Sequence, residues 1–164
     1  MKTITVIYGS TTGNTEQAAK AIAARLNGKA IAVRDAQPAD FDVDLLILGT
    51  STWGSGDLQD DWATDLSKLQ AAPLHGRTVA LFGLGDQCSF GASYLDGMAA
   101  LYDAVVVRGA NVIGTWPIAG YKHEGSQAVR NGAFVGLALD DDNESSLTPE
   151  RIAAWCDSLR AALS

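Results

Sequence analysis

Hydroxyl-bearing residues are concentrated in one turn near the start of the chain, where they could bind a phosphate group. The turn Ser10-Thr11-Thr12-Gly13-Asn14-Thr15 lies between an apolar segment and a segment with helical spacing. N–H and O–H groups at a helix N-terminus point to a common position, where the helix dipole adds positive potential. The turn has no Lys or Arg, unlike the Gly-Lys-Ser/Thr loop of nucleotide hydrolases. These residues indicate a terminal monophosphate site, with ordinary N-capping by Asn14 or Thr15 as an equal alternative.

Two later segments each place an aromatic ring among small residues. The first is Thr50-Ser51-Thr52-Trp53-Gly54, and the second is Gly85-Asp86-Gln87-Cys88-Ser89-Phe90. Aromatic faces attract flat heteroaromatic ligands, and glycine lets the backbone approach the ligand edge. We expect Trp53 and Phe90 to enclose one planar ring, with Phe90 as the weaker wall, whereas Trp62 is expected in the core.

The elements that must position these segments are strands alternating with helices. Apolar, β-branched runs predict strands over residues 4–8, 30–33, 45–48, 79–84, 112–113 and 134–139. The last helix is predicted to begin at Pro149 with Thr148 as its N-cap. Apolar positions recur with helical spacing after the first strand and in this last helix: Ala18, Ile22, Ala23 and Leu26, and Ile152, Trp155, Cys156, Leu159 and Leu163. Such alternation predicts an α/β fold with a mainly parallel five-stranded sheet covered by helices on both faces. Ligands bind beyond the carboxyl ends of such strands, where all three unusual segments begin.

Composition narrows the function classes further. The 164 residues carry a formal charge of −7, which argues against nucleic acid and anionic membranes as partners and favours a basic protein surface. Apolar runs are too short for a membrane span, no signal peptide is evident, and two cysteines suggest no disulfide framework, so we expect a cytoplasmic protein. His75 and His123 lack ligand-type neighbours, so no metal site is expected.

With these segments in this order, the chain resembles the flavodoxin family over nearly its whole length. The resemblance is carried by residues 11–15, Thr52-Trp53-Gly54 with Gln59-Asp60-Asp61-Trp62, residues 82–87 and residues 136–140. The extra segment at about 115–133 is similar to the insertion of long-chain members. The resemblance implies a three-layer flavodoxin-like sandwich, strand order 2-1-3-4-5, as a single domain over residues 1–164.

The resemblance also implies a cofactor and residue roles. Non-covalently bound flavin mononucleotide (FMN) would place its phosphate on residues 10–15, its inner ring face on Trp53 and its outer face on Phe90, where the family usually has tyrosine. Asp140 would meet the ribityl chain. The remaining expected cofactor-binding residues flank the two rings: Thr50, Ser51, Thr52, Gly54, Gly85 and Asp86. A peptide flip at Gly54 would accompany reduction, a hypothesis based on the Trp53-Gly54-Ser55 turn.

The implied function is a low-potential one-electron carrier, not an enzyme, that shuttles between semiquinone and hydroquinone. Eight acidic and no basic residues lie between Arg34 and Lys68, so negative charge would disfavour the second electron. Expected partners have basic surfaces: a flavodoxin/ferredoxin reductase, pyruvate oxidoreductase or nitrogenase reductase, the last if the protein serves nitrogen fixation. A monomer is expected. The alternatives are an FMN-dependent quinone reductase of the same fold and a receiver-type signalling module, which Tyr8-Gly9-Ser10 disfavours because it lacks acidic residues.

Overall fold

The structure is a computed structural model that describes residues 2–53 and 55–164. Its strands are β1 (Ile4–Tyr8), β2 (Lys29–Ala32), β3 (Leu45–Trp53), β4 (Asp57–Leu58), β5 (Thr78–Leu84), β6 (Asn111–Ile113), β7 (Trp116–Pro117), β8 (Val129–Arg130), β9 (Ala133–Phe134) and β10 (Leu137–Leu139). Its α-helices are α1 (Asn14–Leu26), α2 (Pro38–Phe41), α3 (Asp60–Gln70), α4 (Asp96–Val106) and α5 (Thr148–Leu163). Strands and helices therefore alternate along the chain, as predicted.

The main sheet has the order β10-β5-β3-β1-β2, and these strands are parallel. The predicted order 2-1-3-4-5 is confirmed, although the strand count is larger than five. The fifth position is shared, because β6 pairs with β5 at Thr78–Ala80 and β10 pairs with it at Phe82–Leu84. In addition, β3 extends beyond the predicted run and forms an antiparallel pair with β4.

Two apolar cores form because successive strand residues point to opposite faces of the sheet. Leu46 and Leu48 of β3 belong to the core covered by α3 and α4, whereas Leu45 and Ile47 belong to the core covered by α1 and α5. The predicted apolar face of α1 is buried, and so is that of α5 apart from Leu163, which is half-buried. The predicted N-cap of α5 is wrong, because the helix already includes Thr148 and its N-cap is Leu147. Helices therefore cover both faces.

The inserted segment forms a small antiparallel sheet of its own, with order β7-β9-β8. The predicted strand over 134–139 is wrong at Val135-Gly136, where the chain passes from β9 to β10. A Cβ atom at Gly136 would lie 2.1 Å from the Leu81 carbonyl oxygen, so the backbones approach closely there. Within the described ranges, no helix combines the length and apolar character that a membrane span needs.

Candidate functional site

A cleft of about 480 Å³ opens at the carboxyl edge of the main sheet, where the three predicted segments meet. This volume falls within the roughly 300–1,000 Å³ of small-molecule sites. The lining comes from the turn before α1, the end of β3, the segment after β5 and the segment after β10: Thr12, Asn14, Thr15, Ser51, Thr52, Trp53, Leu84, Gly85, Asp86, Phe90, Asp141 and Asp142. The structure thus brings most of the predicted site residues together.

The turn before α1 leaves the helix N-terminus open to a ligand. Gly13 is the N-cap residue with φ 95°, and no side chain in the described part of the chain caps α1. The alternative of ordinary capping by Asn14 or Thr15 is therefore wrong, because both residues lie inside the helix. Ser10 accepts a hydrogen bond at its Oγ from the Gly13 N–H (3.1 Å), which shapes the turn. The first-turn N–H groups of α1 are free of side-chain caps beside the hydroxyls of Thr12 and Thr15.

Gln59 connects this turn to the start of α3 through its side-chain hydrogen bonds. Its Oε1 accepts hydrogen bonds from the N–H groups of Asp61 (3.0 Å) and Trp62 (3.2 Å) at the start of α3. Its Nε2 donates to Thr11 Oγ1 (3.1 Å), so Thr11 contacts the protein and is absent from the cleft lining. A Cβ atom at Gly9 would lie 2.2 Å from Gln59 Oε1, and only glycine leaves room for this arrangement. Trp62 is fully buried, as predicted.

Trp53 stands at the end of β3 with 40% of its surface exposed. Its Nε1 donates to Ser51 Oγ at 2.8 Å, a contact that restrains the indole ring at the cleft wall. Thr52 accepts at Oγ1 from the Gly97 N–H (2.9 Å), which ties this wall to α4. Thr50 is fully buried and does not line the cleft. Gly54, with its predicted peptide flip, lies outside the described residues.

Phe90 also lines the cleft and is 53% exposed. It sits on a turn that Asp86 organises, because Asp86 Oδ1 accepts from the N–H groups of Cys88 (3.1 Å) and Ser89 (2.8 Å). The Phe90 N–H donates to the Asp86 carbonyl oxygen at 3.0 Å. The hydrogen bond from the Ser89 backbone is the main reason that the pKa of Asp86 is lowered, so this carboxylate stays ionised at neutral pH. Both predicted aromatic walls are thus exposed at one cleft.

Asp140 has a different environment from the other acidic residues. It is fully buried, and its carboxylate accepts hydrogen bonds from three backbone N–H groups, those of Gln87, Asp142 and Asn143, and from Asn143 Nδ2. Asp140 is absent from the lining, whereas Asp141 and Asp142 line the cleft. These two were missed by the sequence interpretation, although three consecutive aspartates at the end of a predicted strand were a usable signal.

Three acidic side chains give the cleft a negative charge. Asp86, Asp141 and Asp142 contribute carboxylates, and none of the described lining residues is Lys or Arg. Although Asp142 is exposed, its pKa is raised, first by the partial desolvation of its carboxyl group and then by the neighbouring charges of Asp86, Asp140 and Asp141. The open N-terminus of α1 supplies N–H donors and positive dipole potential that could hold an anionic group despite these carboxylates.

Fold and cleft together define a doubly wound α/β protein with a candidate ligand site at the carboxyl edge of the sheet. A sequence profile described as flavodoxin matches residues 6–155. A flavodoxin of Picosynechococcus sp. is 41% identical over 167 residues, covering 99% of this chain and 98% of the relative. A flavodoxin of Enterobacter agglomerans is 43% identical over 176 residues, covering 99% of both. The chain belongs to the flavodoxin family, which confirms the resemblance.

A solved structure agrees with this assignment. The crystal structure of Fusobacterium nucleatum flavodoxin bound to flavin mononucleotide matches with a TM-score of 0.92 and 35% sequence identity, covering 99% of both chains. A likeness that extends over whole chains includes the inserted segment and the loops around the cleft. The long-chain architecture is therefore shared with a flavin-binding relative.

Proposed function

We propose that this protein binds one FMN non-covalently in the cleft and carries single electrons at low potential between redox partner proteins. The observation that carries the proposal is the pair of exposed rings, Trp53 and Phe90, beside the uncapped start of α1. Membership in the flavodoxin family supports it, as does the FMN-bound relative from Fusobacterium nucleatum. When bound, FMN supplies the one-electron chemistry.

The residues of the cleft fit the two chemically different parts of FMN. The phosphate would accept hydrogen bonds from the first-turn N–H groups of α1 and from the hydroxyls of residues 10–15, chiefly Thr12 and Thr15, which line the cleft. No basic side chain is needed, because the helix dipole and N–H donors carry the positive potential. The isoalloxazine ring would lie between Trp53 and Phe90, whose flat faces suit an aromatic ring.

The remaining predicted site residues have supporting roles in the proposal. Ser51, Thr52 and Gly85 would contact the ring edge from the cleft floor. Asp86 would act by fixing the Phe90 turn. Thr50, buried behind Ser51, would support β3. Contact between Asp140 and the ribityl chain stays a prediction, and its buried carboxylate favours Asp141 and Asp142 as the residues beside the ligand.

The carboxylates at the cleft would lower the potential for the second electron, because a reduced ring carries negative charge next to them. Replacing Asp142 with Asn is expected to raise the second-electron potential by roughly 30 mV. This is far below the ~170 mV of a charge pair at ~4 Å in a dielectric of ~20, since Asp142 is exposed and screened. Because the pKa of Asp142 is raised, the wild-type potential should also rise as pH falls, more steeply than that of the variant.

Spectroelectrochemistry of the two proteins at several pH values checks this prediction. Asp157→Asn is the matched control, because Asp157 is exposed near the far end of α5 and absent from the cleft. A second-electron potential that moves equally in both variants would count against a local effect of Asp142.

An electron carrier is favoured over an FMN-dependent quinone reductase of the same fold. A reductase must hold an organic substrate over the ring, whereas the rings of Trp53 and Phe90 would occupy both faces of the flavin. Stepwise reduction of purified protein reconstituted with FMN distinguishes the two. We expect one FMN per chain and a long-wavelength absorption band at the one-electron stage, with negligible NADPH-dependent quinone turnover. Sustained turnover without that band would favour the reductase.

The redox partners are expected to present basic surfaces near the cleft. The acidic residues that would face them are Asp57, Asp60, Asp61, Asp65, Asp86 and Asp96, several of them exposed or half-buried. A flavodoxin/ferredoxin reductase, pyruvate oxidoreductase or nitrogenase reductase would suit this charge. With nitrogenase reductase as the acceptor, the setting would be nitrogen fixation. A cytoplasmic location, a monomeric state and one domain over residues 1–164 complete the proposal.

Association with a basic reductase is expected to slow about tenfold between low salt and ~0.5 M salt, because ions screen long-range attraction. Stopped-flow electron transfer over a series of ionic strengths measures this. A neutral small-molecule oxidant provides the control, since its reaction should be insensitive to salt. An equally flat dependence for the reductase would contradict steering by charge.

A further inference from the structure

Gln87 is a buried polar residue that joins three segments beside the cleft. Only 2% of its surface is exposed. Its backbone N–H donates to Asp140 Oδ2 (3.1 Å), its Nε2 donates to Glu144 Oε1 (2.6 Å), and its Oε1 accepts from the Lys122 N–H (2.5 Å). One side chain therefore connects the Phe90 turn with the segment after β10 and with the inserted segment.

The partners of Gln87 are themselves held in place. Glu144 pairs with Arg151 Nη2 of α5 at 3.0 Å. The Arg151 guanidinium lies 4.5 Å from the ring centroid of Tyr121, which precedes Lys122 in the inserted segment. The Tyr121 hydroxyl donates to the Ala138 carbonyl oxygen of β10 at 2.6 Å. The hydrogen-bond network that begins at Gln87 is thus anchored to the main sheet at β10.

The inserted segment holds the Phe90 turn a second time, just beyond Phe90. The Gly91 carbonyl oxygen accepts from the N–H groups of Glu124 (2.8 Å) and Gly125 (2.9 Å). Phe90 therefore lies between two anchors, one at Gln87 and one at Gly91. Because half of the Phe90 ring is exposed, its position depends on these backbone anchors more than on packing of the ring.

We propose that Gln87 is a positioning residue. Through its hydrogen bonds it fixes the turn that carries Phe90 relative to the segment that carries Asp141 and Asp142, and the inserted segment supports this arrangement. This inference rests on the proposed function, since its consequence is a cleft of fixed width for the flavin ring. Gln87 belongs to neither wall and is absent from the cleft lining. It acts on the ligand only through Phe90 and through the Asp140–Glu144 segment.

Exchanging the side chains of Gln87 and Glu144 tests whether their contact determines flavin affinity. Gln87→Glu places a second carboxylate against that of Glu144, and the single guanidinium of Arg151 cannot balance both negative charges at neutral pH. We expect about tenfold weaker binding of both FMN and riboflavin at neutral pH, with affinity recovering as the pH falls. The double variant Gln87→Glu/Glu144→Gln has one carboxylate and one amide again. It should bind both flavins several-fold more tightly than Gln87→Glu and without the pH dependence of that variant, although the exchange removes the Glu144 carboxylate that pairs with Arg151.

Gln87→Met tests the loss of the Gln87 hydrogen bonds, and Gln70→Met is its matched control. Met lacks both hydrogen-bonding groups at similar length, and Gln70 is exposed at the end of α3. In protein without flavin, amide hydrogen exchange of residues 88–91 is expected to accelerate about tenfold in Gln87→Met and to stay unchanged in Gln70→Met. This measurement also decides the case if Gln87→Glu does not fold.

The outcomes separate the two proposals. Failure of wild-type protein to bind FMN would overturn the proposed function. Wild-type binding, together with unchanged flavin affinity in folded Gln87→Glu or a double variant no better than the single one, would overturn the role of Gln87 alone. Unchanged exchange in Gln87→Met would do the same.

Discussion

Replacement of Trp53 by alanine is expected to weaken FMN binding by roughly 10- to 100-fold. Stacking of an aromatic side chain on a heteroaromatic base contributes ~1–3 kcal/mol by alanine substitution, and Trp53 is the larger of the two walls. The indole is 40% exposed, so its truncation should leave folding intact. Titration of the apoprotein into FMN, followed by flavin fluorescence, measures the change.

Trp53→Phe is the matched control, because it keeps a flat ring and loses the hydrogen bond from Nε1 to Ser51 Oγ. We expect an affinity between those of wild type and Trp53→Ala, with unfolding temperatures of the three apoproteins within a few degrees. An alanine variant that binds FMN within twofold of wild type would refute stacking on Trp53.

The fold was predictable because its strongest signals are periodic. Two-residue alternation in Leu45–Leu48 sends side chains into two cores, and this requires helices on both faces. The division of the fifth position was not predictable in the same way. β6, β9 and β10 are two or three residues long, so their apolar runs carry too little periodicity to locate a break at Val135-Gly136.

The candidate site was predictable where it depends on strand ends and residue type. Trp53 and Phe90 follow buried strands, and their exposure is what glycine- and serine-rich surroundings indicate. Contacts between segments that are distant in the chain were harder to predict from the sequence. The full burial of Asp140 is an example, because its carboxylate accepts a hydrogen bond from the Gln87 N–H, which lies 53 positions away in the chain.

The hydrogen-bond partners of Gln87 could not be predicted from the sequence for the same reason. Its contacts with Lys122 and Glu144 span 35 and 57 positions of the chain. A sequence motif can mark such a residue without indicating what it touches. The motif Gly85-Asp86-Gln87 therefore predicted membership in a family, whereas the packing of the inserted segment is what suggests a physical role for the glutamine.

The phosphate end of the cleft should depend on hydroxyl groups as strongly as the ring end depends on stacking. Thr15→Val is expected to weaken FMN binding by roughly 10- to 100-fold, because a hydrogen bond to a charged group contributes ~1.5–3 kcal/mol. Thr15 is 2% exposed and lines the cleft, so valine preserves its shape while removing the donor. Riboflavin lacks the phosphate, and its affinity should stay within about twofold of wild type.

Isothermal titration of both flavins into wild type, Thr15→Val and Thr64→Val separates this effect from helix propensity. Thr64 is exposed in α3, so its replacement introduces the same β-branched side chain away from the cleft. Equal losses for FMN and riboflavin in Thr15→Val would assign Thr15 to the ring end and leave the open N-terminus of α1 without a phosphate. A loss confined to FMN follows only if the turn at residues 10–15 holds the anionic group, since no cation lines the described cleft to do so instead.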